Sequence, residues 1–296
     1  MKSDKISLNY QEKKKIFYNF IDAIKKTAKW NLYTIINPTL IKNPYKSVFP
    51  KNYFFNILKK NNKIILFSKN ILYFYFKNLY LLSNYILAYV LYKLYFKKQR
   101  KKSLEIIIDV FGLVDKINQD NKFSENYLIG IYEVFEKFKI NYAILLRPHY
   151  ANKNPFKLKN FFKIISEDKK NFVFEYEFLR LFDFFRLIVL ILKYPFQILN
   201  LMQNDKSEIG KIFNNSLIED LKHFSFNSLT RYILGEHLSK IDSIKKIYSW
   251  SEFQVIERSF NYAIRKNCSH IELIGLQFFL NYETYFNSYS DDTDYV

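Results

Sequence analysis

Four polar residues follow one another closely where a short apolar run passes into a helical pattern: Glu252, Gln254, Glu257 and Arg258. Carboxylates near the start of a helix are stabilised by its dipole. At the end of a strand, such a carboxylate could act as a general base or bind sugar hydroxyls, which makes Glu252 and Glu257 the candidate catalytic residues. The alternative is an ordinary helix start with glutamates in its first turns and an exposed arginine.

A second polar group, Arg147–Pro148–His149, follows the apolar run at 140–146. Arginine and histidine at the end of a strand could contact a phosphate group. The alternative is a loop with ordinary surface side chains. Glu175 and Glu177 alternate along an extended run and point to one face, which could be plain solvent.

Several kinds of site are excluded or disfavoured by residue content. The five glycines are scattered, so no glycine-rich phosphate loop is present, and the zinc-protease, serine-hydrolase and kinase motifs are absent. A single cysteine, Cys268, excludes an internal disulfide and a cysteine-based zinc site. His223, His237 and His270 lack metal-ligand spacing. We therefore expect neither a metal nor a cofactor.

The candidate residues near the C-terminus lie in a pattern that predicts a strand, a helix and a second strand. Residues 244–250 and 271–276 are short apolar runs, and the helix between them has Ser251 as its cap. This order is typical of a βαβ unit with parallel strands, whose ligands bind at the carboxyl ends of the strands. Trp250 and Gln277 should therefore lie together on the working edge.

The rest of the chain shows the same alternation. Further strands are predicted at 62–68, 103–113 and 140–146, and helices at 70–98, 125–138 (capped by Ser124), 155–169 and 225–241. About a hundred mostly helical residues separate the two strand-rich parts, and no linker composition interrupts them. The pattern predicts an α/β fold, with one doubly wound, mostly parallel sheet flanked by helices.

The composition is that of a folded, strongly basic protein. The 296 residues are 49% hydrophobic and 20% aromatic, with a formal net charge of +18. This charge suggests attraction to phosphates of nucleic acids, anionic lipids or nucleotide diphosphates, or else reflects lysine bias on a solvated surface. Nucleic-acid binding is disfavoured because the aromatic residues fall at core spacing and no binding motif accompanies them.

Two apolar segments raise the question of a membrane. Residues 78–92 carry no charge but are shorter than the roughly 20 residues a spanning helix needs. The basic run 97–102 follows, so this segment could lie on an anionic membrane, or it could be a buried helix before a solvated loop. Residues 187–202 are interrupted by Lys193 and Pro195, which favours a kinked helix or two helices covering the sheet. No signal peptide is visible in 1–29, so we expect a cytoplasmic protein, either free or peripheral at the inner membrane.

The sequence YSWSEFQVIERSFNYAIRKN at 248–267, followed by IELIGLQFFLNYETYFNS at 271–288, resembles the conserved region of bacterial surface-carbohydrate biosynthesis proteins. These proteins are similar to two-domain GT-B glycosyltransferases. In that family a strand ends in an aromatic pair before an acidic residue, a glutamine and a Glu-Arg pair. A second strand then ends in Gly-x-Gln, which matches Gly275 and Gln277 here.

The resemblance covers residues 104–290 and implies a function as well as a fold. It implies a single Rossmann-like domain over 61–290, equivalent to the acceptor-side, N-terminal half of a transferase for capsular polysaccharide or lipopolysaccharide. Before it, the residues themselves predict a short N-terminal helix and an irregular basic segment at 1–60. The implied partners are a nucleotide-sugar, a lipid-linked glycan acceptor, an anionic membrane surface and a separately encoded second domain. The substrate-binding candidates are Arg147, His149, Trp250, Gln254, Arg258 and Gln277.

The chain stops where the second domain of such an enzyme would follow. We therefore expect a truncated reading frame, a split subunit or an acceptor-side domain alone, with 291–296 as an acidic tail or truncation point. The alternative from another class is a non-catalytic membrane-surface or interaction protein that uses the apolar and basic segment 78–102.

Overall fold

The structure, a computed structural model, describes residues 9–27, 31–40, 48–55, 63–97, 104–125, 128–149, 154–250 and 255–276. All structural statements below concern these residues. Within them the chain forms an α/β fold built on one parallel sheet, which confirms the predicted fold class.

The sheet has five parallel strands in the order β3-β2-β1-β4-β5. The strands are β1 (Ile106–Leu113), β2 (Ala143–His149), β3 (Phe172–Val173), β4 (Lys246–Trp250) and β5 (Glu272–Leu276). The chain adds strands outward from β1 on one side and then returns to add β4 and β5 on the other. The switch point of this Rossmann-like order therefore lies between β1 and β4, where ligands of such sheets bind.

The described α-helices are α1 (Tyr10–Thr27), α2 (Leu32–Ile35), α3 (Val48–Phe54), α4 (Lys63–Tyr95), α5 (Val114–Asp120), α6 (Ile129–Lys137), α7 (Leu158–Glu167), α8 (Leu181–Leu199), α9 (Glu208–Glu219), α10 (Phe226–Leu238) and α11 (Val255–Asn267). They supply partners for both faces of the sheet. Successive residues of β1 point to opposite faces, so Ile108 joins the large core with α4 and α7, whereas Ile107 packs in a smaller core with α10 and α11. Burial on both faces explains the nearly continuous apolar sequence of β1.

The C-terminal strand–helix–strand prediction is confirmed. Strands β4 and β5 are parallel neighbours connected through α11, and Trp250 pairs with Leu276 in their register. Helix α10 packs closely on α11 at Gly235. A Cβ atom there would lie 2.7 Å from the Cβ of Ala263 and 2.8 Å from the carbonyl oxygen of Phe260. A glycine at this position therefore brings α10 close to α11.

The predicted strand at 62–68 is wrong. Residues 63–68 form the start of α4, a helix of 33 residues. A short apolar run is ambiguous between a strand and a buried helix, and this run continues into the next helical pattern without a turn signal. The predicted helix at 70–98 is confirmed as far as Tyr95, and 98–102 of the basic run lie outside the described residues.

Other predicted boundaries shift because local signals mark ends poorly. The helix predicted at 125–138 begins at Ile129, and the preceding helix α5 was not predicted. Strand β2 continues through His149, so Arg147–Pro148–His149 belongs to a strand rather than a loop.

The apolar run at 187–202 lies mostly in one helix, α8, which contains Pro195 and packs on α4 and α10. In the described part of the chain, no helix has both the length and the apolar character that a membrane crossing requires.

Candidate functional site at the switch point of the sheet

A buried carboxylate, Asp109, lies in the central strand β1 at the switch point. Its register neighbour in β4 is Ser249, whose hydroxyl donates to Asp109 Oδ2 at 2.9 Å. Arg231 of α10 donates from Nη2 to the same oxygen at 2.5 Å. Arg147 Nε of β2 lies 3.1 Å from Oδ1. Two neighbouring strands and one helix thus converge on a single carboxylate, and we call these four residues the ionic cluster.

The ionic cluster keeps Asp109 ionised in a dry environment. Burial alone would raise the pKa of this carboxyl, because removal of water disfavours the charged form. The positive charges of Arg147 and Arg231, with the hydrogen bond from Ser249, outweigh burial and hold the pKa below its ordinary value. Asp109 is therefore a permanent negative charge at neutral pH.

Arg231 is held by α10 above the sheet and lies on an aromatic face. Its guanidinium carbon is 3.9 Å from the centre of the Phe260 ring in α11, which gives a cation–π contact. Burial lowers the pKa of Arg231 to about 10, against the opposing effect of Asp109, so the group stays protonated at neutral pH. Within the described residues, its Nε and Nη1 have no hydrogen-bond acceptor. Burying a charged group with unfilled hydrogen-bonding positions lowers the stability of the fold, so this arrangement favours a functional role for Arg231.

A second carboxylate, Glu175, titrates near neutrality beside the ionic cluster. It begins the short 3-10 turn that follows β3, and it is buried rather than solvent-facing, which corrects the solvent alternative for this residue. Burial raises the pKa of Glu175 to about 7, although Arg231 and Arg147 act in the opposite direction. Tyr85 of α4 is also close to this carboxyl. The net charge around Asp109 therefore changes by one unit near neutral pH.

Aromatic side chains lie at the carboxyl ends of the central strands. The Phe111 and Trp250 rings stack with centroids 4.7 Å apart, and Phe111 also lies 5.4 Å from the His149 ring. The Arg147 guanidinium is 5.8 Å from the Phe111 ring. All four side chains are half-buried. We call these four residues the aromatic rim; they combine apolar faces with one permanent positive charge.

A small cleft lies against β4, β5 and α11, beside the ionic cluster. Ser249 and Trp250 line it, together with Asn261 of α11 and Gly275 of β5. Ser249 also donates to Asp109, so one hydroxyl joins the cleft to the buried charges. The cleft thus lies on the face of the sheet that α11 covers and extends toward the carboxyl ends of β4 and β5.

The structure brings together three of the predicted binding residues: Arg147, His149 and Trp250 all belong to the aromatic rim. Glu257 is half-buried in the first turn of α11. Arg258 is buried, so the alternative of an exposed arginine is wrong.

Three other candidates, Glu252, Gln254 and Gln277, lie outside the described residues. The predicted cap Ser251 lies outside them as well. The predicted meeting of Trp250 and Gln277 at one rim therefore stays a prediction.

Sequence reasoning missed the ionic cluster apart from Arg147. A usable signal existed for Asp109, because it is an acidic residue inside the apolar run IIIDVFGL. A charged residue in a strand buried on both faces needs a partner. Arg231 carries no comparable signal, since its approach to the sheet depends on how α10 packs on α11.

Within the described residues, no group of three or more histidine, cysteine, aspartate or glutamate side chains could hold a metal ion. His237 instead contacts Asp183, with 2.8 Å between Nε2 and Oδ2, in a separate network of α8 and α10. Comparisons of this chain with protein-family models, with curated proteins and with solved structures find no match.

Proposed function

We propose that this chain is a glycosyltransferase-like domain for surface-polysaccharide assembly, and that it binds a phosphate-bearing sugar ligand at the switch point. The observation that carries the proposal is the buried ionic cluster beneath the aromatic rim of Phe111, Arg147, His149 and Trp250. A parallel sheet of this order binds ligands at that edge.

The chemistry of the rim suits a nucleotide-sugar or a lipid-linked glycan. The stacked rings of Phe111 and Trp250 offer apolar faces to the flat or ring-shaped part of such a ligand. Arg147 offers a planar donor group that matches phosphate oxygens. The net charge of +18 would attract the same ligand over a longer range.

Ionisation of Glu175 would change the net charge at the proposed ligand-binding site. Arg147 and Arg231 carry two positive charges, and Asp109 neutralises one of them. When Glu175 is protonated the group keeps a net positive charge, and when it ionises the group is neutral. Anion binding should therefore be favoured on the acidic side of the Glu175 pKa of about 7.

The resemblance at 248–288 supports the same conclusion from the sequence. Glu252 and Glu257 remain the candidates for contact with acceptor hydroxyls, and Gln254, Arg258 and Gln277 remain candidates for substrate binding. In this proposal the chain corresponds to one Rossmann-like half of a GT-B-like enzyme.

The test uses the fluorescence of Trp250. The chain has two tryptophans, so a Trp30→Phe background leaves Trp250 as the single reporter. Uridine diphosphate and UDP-glucose are titrated at pH 6 and pH 8. We expect quenching with both, and Arg147→Ala should weaken binding at least about tenfold because a charged hydrogen bond to phosphate is lost.

The matched control is Lys245→Ala, which removes one positive charge at the opposite, amino end of the sheet. It should leave the affinity within about twofold of the parent, since an exposed charge at that distance is screened. Equal affinities for Arg147→Ala and the parent, or no quenching by either nucleotide, would count against the proposal. Circular dichroism verifies that each variant is folded.

A further inference from the structure

Helices α4 and α8 present a large apolar surface to solvent. Of the 23 exposed large apolar side chains among the described residues, nine belong to α4 and six to α8. On α4 they recur at helical spacing, as at Leu72, Phe76 and Leu79, and Phe182 and Phe185 are prominent on α8. Contiguous exposed apolar surface of this kind marks a site of interaction.

The two helices lie side by side, so their exposed residues form a common surface. The Tyr75 hydroxyl of α4 donates to the carbonyl oxygen of Leu192 in α8 at 3.1 Å. Further along, the Tyr89 and Phe184 rings are 5.2 Å apart. The helices therefore run antiparallel, and we call their outer residues the α4–α8 face.

The exposed charges on this face are all basic. Helix α4 contains no acidic residue, and the single acidic residue of α8, Asp183, is buried. The charged side chains of the two helices that are described as exposed are Lys69, Lys93 and Lys193. Among the described residues of these two helices, the exposed apolar side chains are thus accompanied by lysines and by no exposed acidic side chain.

We propose that the α4–α8 face docks on an anionic lipid bilayer, with both helices lying along the membrane surface. Apolar and aromatic side chains would enter the interface, while the lysines contact acidic headgroups. A second copy of the chain would bring identical lysines together, and like charges oppose such an association. The inference is independent of the proposed ligand site and goes beyond it.

The test measures co-sedimentation of the full chain with vesicles. One vesicle set is phosphatidylcholine alone, and the other contains phosphatidylglycerol at a third of the lipid. We expect binding to the anionic set, weakened by added salt. The triple variant Phe76→Ser/Phe182→Ser/Phe185→Ser should bind at least about 30-fold more weakly, because three apolar groups no longer enter the interface.

A matched control is Phe55→Ser/Phe138→Ser. These rings are 74% and 67% exposed, against 74% for Phe76, 66% for Phe182 and 60% for Phe185, and they follow the ends of α3 and α6. The control should bind like the parent, and both variants should fold, since exposed rings contribute little to the core.

The lysines are tested separately. Lys69→Gln/Lys93→Gln/Lys193→Gln should lose the preference for anionic vesicles. The control Lys122→Gln/Lys137→Gln/Lys266→Gln, whose side chains are exposed outside α4 and α8, should keep it. Parental binding by the aromatic triple variant, or equal losses in both lysine sets, would overturn the proposal. So would a dimer, detected by light scattering, that the aromatic variant dissociates while vesicle binding is absent, since the face would then belong to a second copy.

Discussion

The two ends of the same strands carry ion pairs that differ in burial rather than in separation. At the amino end, Lys245 Nζ lies 2.5 Å from Glu105 Oε1, with the side chains 67% and 42% exposed. Toward the carboxyl end, Arg231 Nη2 lies 2.5 Å from Asp109 Oδ2, with the side chains 2% and 0% exposed. The two ion pairs therefore have the same contact distance but differ in how far their charges are exposed to water.

Hydration of the charges determines how much each of the two ion pairs contributes to stability. The exposed charges at the amino end stay hydrated, so their pairing contributes little. The charges near the carboxyl end have lost their hydration and depend on each other, so removing one leaves the other buried and unpaired. The buried charges therefore lie beneath the edge of the sheet at which a parallel sheet of this order binds ligands, and perturbed buried charges in such a position favour a functional role.

The largest expected effect is the loss of Asp109. Asp109→Ala should lower the free energy of unfolding by about 3–5 kcal/mol, because Arg231 would remain buried without its counter-charge. Urea unfolding followed by circular dichroism measures the change.

Its control is Glu105→Ala, which removes an exposed carboxylate immediately before the same strand. We expect a change of about 0.5 kcal/mol or less for that variant. Similar losses of unfolding free energy in the two variants would contradict the expected difference between the buried and the exposed ion pair.

The next effect concerns the pH dependence of stability. The pKa of Glu175 is about 7 in the folded chain, above the ordinary value of 4.5. Between those values the folded state holds a proton that the unfolded state has released, so stability falls as the pH rises from about 4.5 to about 7. Asp109 has a lowered pKa, so its contribution is present above its ordinary pKa value and is lost only in more acidic solution.

Glu175→Gln should remove this dependence. Between pH 5 and pH 8, we expect the parent chain to lose on the order of 3 kcal/mol relative to the variant. Urea unfolding at both pH values gives the difference, and Glu167→Gln, at an exposed position in α7, should keep the parental slope. A parental slope in Glu175→Gln would show that another group is responsible.

More of the fold than of the candidate site could be predicted from the sequence. Strands β1, β2, β4 and β5 are apolar runs with clear limits, and their parallel arrangement follows from the helices between them. Strand β3 has only two residues and gives a weak pattern. The strand prediction at 62–68 was wrong because the apolar residues of this run fit a helix equally well.

The site residues divide according to whether their positions depend on local or tertiary structure. Arg147, His149 and Trp250 were found because each lies at the end of a predicted strand. Asp109 was overlooked inside a strand, and Arg231 becomes relevant only when α10 packs on the sheet. Polar residues at strand ends are visible to sequence patterns, whereas a partner supplied from a distant helix is not.

The smallest expected effect tests most directly whether burial distinguishes the exposed ion pair from the buried one. A double-mutant cycle on Glu105 and Lys245 should give a coupling energy of at most about 0.5 kcal/mol, and added salt should reduce it further. The same cycle on Asp109 and Arg231 should give a coupling of at least about 2 kcal/mol that salt barely changes, because water does not reach the pair. Two couplings of similar size would mean that burial does not separate these pairs, and the case for a functional cluster at the switch point would then lose its energetic basis.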